Sequence, residues 1–495
     1  MNNSSAANGH PVTLAAPTKD TNMNTIHPNP PVPTATITSA LALINNAELS
    51  DLLNVADRPA RSLLSQRQIL AAWIALALEG RELTAANVSN LLFDRLTPKT
   101  REILGLPEAF AARTRQQISR GVRNATADLL DTMDAFPLPD RRGRLTKSEW
   151  DQVVADRALH AEELESKRRR FLAFANNLLH AQFAALPTEM RDGTFHATID
   201  SRFRPAGAAG IPARRVAALG PDDRVSAEPD AAMYASARTT GTQYGWDDEL
   251  VVLHPAVPGA APCITIGFNS HRPGADFARH AAEALQRLAS RGLALGHVVV
   301  DRAYMAARPD YLRAGLDDLR AKVIGDYSLH QLGVQDAAGN AILVEGTWYC
   351  ASMPKHLQQG VFEARRAQAT HSAGGAAEKA FVDALIAARA TYALAPEAGS
   401  AGLPETSRLE QALPYRSPEW KTAYAAGRNA MEYYLTELRH TAALRGGAPG
   451  LRGATGNAFL SLLDIIATNA RIINEFTARA TATDGPRRAH RTAMV

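Results

Sequence analysis

The chain has 495 residues, a formal net charge of +4, 46% hydrophobic residues and 21% charged residues, the balance of a globular protein with room for two or three domains. Its longest apolar stretch, Ile69 to Leu78, is ten residues, too short for a bilayer span, and its first twenty residues lack the basic and apolar regions of a signal peptide. Only two cysteines occur, Cys263 and Cys350, with no C-x-x-C spacing, which argues against a zinc finger or disulfide scaffold and fits a reducing cytoplasm.

Residues 1–40, rich in Asn, Thr, Pro and Ala, predict a disordered leader. From 41 to 187 the apolar residues recur at helical spacing, which predicts an all-α domain. Within it, "SQRQILAAWIALALEGREL" and "TAANVSNLLFDRL" read as helix, Gly-containing turn and helix, with Thr84 as N-cap. Helix-turn-helix units share that grammar with any αα-hairpin. Two longer helical segments with basic faces follow, 107–136 and 148–186. Basic residues also cluster in "DRRGRLTK" (140–147), "SKRRRF" (166–171) and "GPRRAHR" (485–491). Such clusters either neutralise nucleic-acid phosphates or lie as solvated helix faces and a tail. The 41–187 segment is therefore a candidate DNA-binding domain.

Near Phe195 the period shortens to two. "GTFHATIDSRF" predicts a strand reaching Asp200, and "ELVVLHPA" and "APCITIGFNSHRPG" predict two more. An amphipathic helix (275–296), the strand "HVVVDRAYM", a helix (308–321) and the short strand "KVIGDY" complete a mixed sheet flanked by helices over 188–327. Residues 328–417 interrupt the pattern and read as an insertion. Helices return over 418–480, and 481–495 is a basic tail.

Three valines running into Asp301 describe a strand covered on both faces and aimed at a charged pair. The active crevice of an α/β sheet lies outside the carboxyl ends of its strands, where an Asp also serves to cap the next helix. Asp200 ends a second strand. Two such carboxylates can hold Mg²⁺, and paired ions roughly 3.5–4 Å apart serve phosphodiester chemistry. Glu432 is the third candidate acid. Arg428 lies four residues before it and Arg439 seven after, so one helix stripe presents cation, carboxylate, cation. Arginines there suit phosphate oxygens, and the same stripe also describes an ordinary exposed ion pair. Asp326 in "VIGDY", Glu437 and Glu345 compete for the third role. His196, the pair Cys350 and His356, and the Gly-rich "GLRGATG" carry no metal or nucleotide signature of their own.

Taken together, "HATID", "VVVDRAY" and the Tyr424, Arg428, Glu432, Arg439 series resemble the DDE transposases of bacterial insertion sequences, of the actinobacterial type. "YRSPEW" and "ATNARIINEF" also resemble segments of that family, and the likeness covers about residues 190–480. Two departures stand out: three residues separate Tyr424 from Arg428 where the family usually has two, and Arg439 replaces the usual Lys. The resemblance implies a ribonuclease H-like catalytic domain with an insertion before its last catalytic helix. It also implies Asp200, Asp301 and Glu432 as catalytic ligands of two Mg²⁺ ions, with Mn²⁺ as substitute. Arg428 and Arg439 would steady phosphates, and Arg302 and Tyr304 either contact DNA or pack the strand's exit. The implied partners are double-stranded DNA, as transposon ends and target, and a second copy of the chain on DNA. No membrane is implied, and the expected location is the cytoplasm at the nucleoid. A catalytically inactive DNA-binding relic and a nuclease of the same fold stay open as alternatives.

Overall fold

A computed structural model describes residues 30–53, 63–139, 144–235, 242–274, 276–370, 376–394, 409–443 and 451–481. The leader expected through residue 40 gives way earlier to a helix. Helix α1 (Thr34–Asn46) already buries Ile37, Ala40, Leu41 and Ile44, an apolar stripe at helical spacing. Next come α2 (Gln66–Leu78), α3 (Ala85–Asp94) and α4 (Pro98–Ile103). They are followed by α5 (Arg115–Asp131), α6 (Lys147–Leu159) and α7 (Ala161–Ala184). The Thr84 hydroxyl caps α3 as expected, accepting from Asn87 N at 3.1 Å. Helix α2 is buried at every position from Ile69 to Ala77, because α1, α3, α5 and the last helix of the chain surround it. These helices and the sheet contribute to one continuous hydrophobic cluster, so the helical region is not separately cored.

After α8 (Thr188–Arg191) the chain enters β1 (Phe195–Pro205). There follow α9 (Ala213–Ala217), β2 (Ala232–Ala235), β3 (Thr242–Pro255), β4 (Ile264–His271), α10 (Phe277–Ala289) and β5 (His297–Val300). Then come α11 (Arg302–Ala306), α12 (Pro309–Asp318) and β6 (Lys322–Gly325). The sheet runs β2-β3-β1-β5-β6, with β4 also paired to β3. Strands β1, β3 and β4 pair antiparallel, whereas β1, β5 and β6 are parallel. The mixed sheet flanked by helices is thus present. Side-chain amides close its β4 edge: Asn176 of α7 exchanges two hydrogen bonds with the Phe268 backbone, each 2.9 Å. Asn469 does the same for Thr265 at 3.1 and 2.7 Å. Satisfying an edge in this way removes a template for aggregation.

Strand β3 begins seven residues before the Glu249 start expected from sequence. Its acidic run Asp247–Glu249 hides the strand from pattern reading, yet all three acids are buried. Partners make that tolerable for Asp248 and Glu249, whereas burial pushes the Asp247 carboxyl up to about 6. Arg204 Nε lies 3.1 Å from Asp248, while Glu249 accepts from the Tyr304 hydroxyl and pairs with His271 Nε2 at 2.9 Å.

The insertion builds its own three-stranded sheet from β7 (Val334–Ala338), β8 (Ala341–Val344) and β9 (Thr347–Cys350). Two helices cover it, α13 (Lys355–Thr370), which sequence reading did not anticipate, and α14 (Ala376–Arg389). A buried Arg389–Glu345 ion pair fastens α14 to the β8–β9 turn, so Glu345 is structural. Two long helices end the fold, α15 (Pro418–Ala443) and α16 (Ala454–Thr481). Among the described residues no helix is long and apolar enough to cross a membrane.

Candidate active site

Strand register alone brings the first two acids together. Parallel pairing of β1 with β5 matches Ala197 to Val298, Thr198 to Val299 and Ile199 to Val300, which makes Asp200 and Asp301 the next pair. Adjacent strands lie about 4.7–4.9 Å apart and paired residues share a face. Pairing of β5 with β6 ends at Val300 and Gly325, so Asp326 continues the same row. Three aspartates therefore continue one row, Asp301 and Asp326 just past the ends of β5 and β6, and Asp200 within β1, which does not end there as expected but runs on to Pro205.

Helix α15 crosses above that row, packing on β6, β5, β1 and β3. Gly427 sets how closely it approaches. A Cβ at this position would lie 2.6 Å from Val299 Cγ2 and 2.7 Å from Thr198 Oγ1, inside van der Waals contact. Gly427→Val is therefore expected to lift the helix and cost about 1–3 kcal/mol of stability. A thermal melt checks this, and an unchanged midpoint would mean that α15 has slack above the sheet.

The close approach delivers Arg428. Its Nη1 donates to Asp200 Oδ2 at 2.9 Å, and its Nη2 reaches Glu432 Oε1 at 3.5 Å. The guanidinium thus links the first strand acid to the helix acid. Burial is the largest influence on the Asp200 carboxyl and pushes it up, Arg428 pulls it down, and the Asp301 charge pushes it up again, which leaves it at about 6. A carboxylate held among such opposing influences is a common signature of a functional site. Asp301 also caps α11, Oδ1 accepting from Ala303 N at 2.8 Å, so the cap reading of this residue holds. Glu432 is half exposed.

Asp326 shares the row but is occupied. Its Oδ2 accepts from Arg302 at 2.6 Å, its Oδ1 accepts from Tyr415 at 2.6 Å, and Arg365 lies 3.5 Å away. Burial opposes its charge, but hydrogen bonds from Tyr415 and Arg302 and the nearby guanidinium charges outweigh this and hold its carboxyl low. Glu437 is tied to Arg471 of α16. Of the expected phosphate contacts, Arg302 is half exposed, and Arg439 is exposed with no ion pair among the described residues. Tyr304 is different: it is 3% exposed and its hydroxyl donates to buried Glu249, so it packs the strand's exit rather than facing solvent. Tyr424 stacks on Trp420 with ring centroids 4.7 Å apart, above the aspartate row.

The hydrogen-bonded series Tyr304–Glu249–His271 escaped sequence reading. It lies behind Asp301, and its only sequence signal is an acid inside a strand that the acidic run conceals. His196 is stacked on His297 at 3.5 Å and pushed down by burial. The basic clusters divide as well. In 166–171, Arg168 is bound to Glu165 and Glu283, and Lys167 to Glu163, which makes that cluster largely structural. Residues 140–143 and the 485–491 cluster lie outside the described residues.

Among the described residues no group of three or more His, Cys, Asp or Glu side chains is arranged to hold a metal ion. The donor types nonetheless suit a hard divalent cation, since Asp200, Asp301 and Glu432 offer only carboxylate oxygens. Asp200 also keeps a charge that burial and Asp301 disfavour, which a cation would relieve. No family model matches the chain, and neither a curated protein nor a solved structure matches it.

Proposed function

We propose that this chain is a DDE-type transposase with a ribonuclease H-like catalytic domain, cutting DNA at transposon ends and joining the freed ends to target DNA. The observation that carries the reading is the register that pairs Asp200 with Asp301, with Arg428 and Glu432 set over them by α15. Asp200, Asp301 and Glu432 would hold Mg²⁺ or Mn²⁺, which when bound supplies Lewis-acid activation and charge neutralisation at the phosphodiester. In the cutting step a water oxygen bonds to phosphorus and the 3′ oxygen leaves as a hydroxyl. In the joining step that hydroxyl attacks a target phosphodiester, so one P–O bond forms as one breaks.

The residues of the chain divide the remaining work. Asp200 and Asp301 place negative charge at fixed positions on rigid strands, which preorganises the site. Arg428, which here holds Asp200 and reaches Glu432, would be free to take two phosphate oxygens in bidentate fashion where a cation met the Asp200 charge. Arg302, braced by Asp326, presents further donors beside Asp301. Joining two ends calls for two copies of the chain on DNA, at the nucleoid.

The test uses duplexes carrying the DNA that flanks the protein's own coding sequence. With Mg²⁺, nicks leaving 3′-hydroxyls and joined products are expected, both lost in a chelator and restored by Mn²⁺. Hydrolysed ends without joining would instead identify a nuclease of the same fold. Binding without cutting would identify an inactive relic.

A further inference from the structure

We infer that α5 is a DNA-reading helix that enters the major groove of a duplex; this rests on the reading that the chain works on DNA. Its buried stripe is Ile118, Gly121, Val122, Ala125, Thr126, Leu129 and Leu130, which fixes the opposite face outward. That outward face carries Arg113 just ahead of the helix, then Gln116, Gln117, Arg120, Arg123 and Asn124, all exposed. No acidic residue occurs between Glu108 and Asp128. Arg, Gln and Asn are the side chains that read base edges in pairs of hydrogen bonds, and Arg also takes phosphate oxygens.

Apart from Gln117, these side chains are also available. Arg113, Gln116, Arg120 and Asn124 make no side-chain hydrogen bond or ion pair among the described residues, and Arg123 reaches only the Ser119 hydroxyl at 3.3 Å. The neighbouring Arg115 is the contrast. It is spent on Asn90 at 2.6 Å and on both oxygens of Asp94 at 2.7 Å, which anchors α5 to α3. Thr114 and Gln117 form a capping box that fixes where the helix starts. From residue 113 to 124 the face spans roughly 16 Å, and a helix about 10–12 Å across fits a major groove about 12 Å wide. The presentation of the N-terminal half of a firmly packed helix is the geometry by which recognition helices meet bases. By contrast, the Lys167 and Arg168 charges of α7 are already neutralised by glutamates.

The test is binding of the full chain, without divalent metal, to a mixed-sequence duplex of about 30 base pairs, read by fluorescence anisotropy across a salt series. The double variant Arg120→Gln, Arg123→Gln keeps helix propensity and changes only exposed positions, so its melting midpoint should match the parent. It is expected to bind about tenfold more weakly, with the salt slope reduced by about 1–2. Unchanged affinity and slope would overturn the inference, as would equal loss of binding to an acidic polypeptide competitor. Asp301→Asn should bind the duplex like the parent. Weakened binding in the double variant, in a protein that never cuts, would fail the catalytic reading alone. Intact binding in a protein that cuts would fail α5 alone.

Discussion

Asp301→Asn will slow DNA strand cleavage by about 10³-fold or more, the scale seen when one member of a catalytic unit is removed, while folding stability stays within about 0.5 kcal/mol. The two effects separate because the residue has two jobs that draw on different properties. Capping α11 uses one oxygen as an acceptor for Ala303 N, and an Asn side chain offers the same oxygen. Holding a divalent cation uses charge, which Asn lacks. Parallel measurements of nicking on end-bearing duplexes and of thermal unfolding decide it. If cleavage survives at the parent rate, Asp301 is only a cap, and the valine run before it is only a core strand.

Asp200→Asn will abolish cleavage to a similar extent yet make the metal-free protein more stable, by about 2–3 kcal/mol at about pH 8. The sign follows from the direction of the shift. The Asp200 carboxyl is raised from 3.8 to about 6, first by burial, so the folded state holds its proton more tightly than the unfolded chain does. Its contribution is favourable at low pH and is lost as pH rises through about 6, leaving a buried charge that Arg428 only partly offsets. The asparagine variant carries no such charge. Its advantage should therefore shrink toward zero near pH 4 and be full above about pH 7. Adding Mg²⁺ at the higher pH should raise the midpoint of the parent but not of the variant, since only a state that binds is stabilised. An advantage that is the same at both pH values would mean that packing, not charge, is responsible.

Much of this arrangement was legible because it rests on short-range patterns. The apolar runs ending in Asp200 and Asp301 mark strands whatever surrounds them, and the spacing of Arg428 and Glu432 places them on one helix face. What stayed hidden depends on partners distant in sequence. Asp326 looks like a rival to Glu432 until Arg302, Tyr415 and Arg365 are seen around it. The early part of β3 looks like a charged loop until Arg204 and His271 are brought to its acids. Tyr304 stands equally for a DNA contact and for packing of the strand's exit until Glu249 appears beneath the sheet surface. Helix α1 was obscured by the Pro- and Asn-rich residues before it, and α13 by the irregular composition of the insertion.

Gly427 lets α15 settle onto two strands that were synthesised long before it. The strand acids are joined by local pairing of the sheet, but Glu432 leaves the ribosome 131 residues after Asp301, about 7–26 s later at ordinary elongation rates. During that interval the nascent chain holds two acids of the site without the third, and without the arginine that bridges them. On the proposed function, cutting would be withheld until the sequence through α15 has been made and has docked. A message broken before that point would yield a chain that lacks the third acid and also the last helix, on which α2 packs.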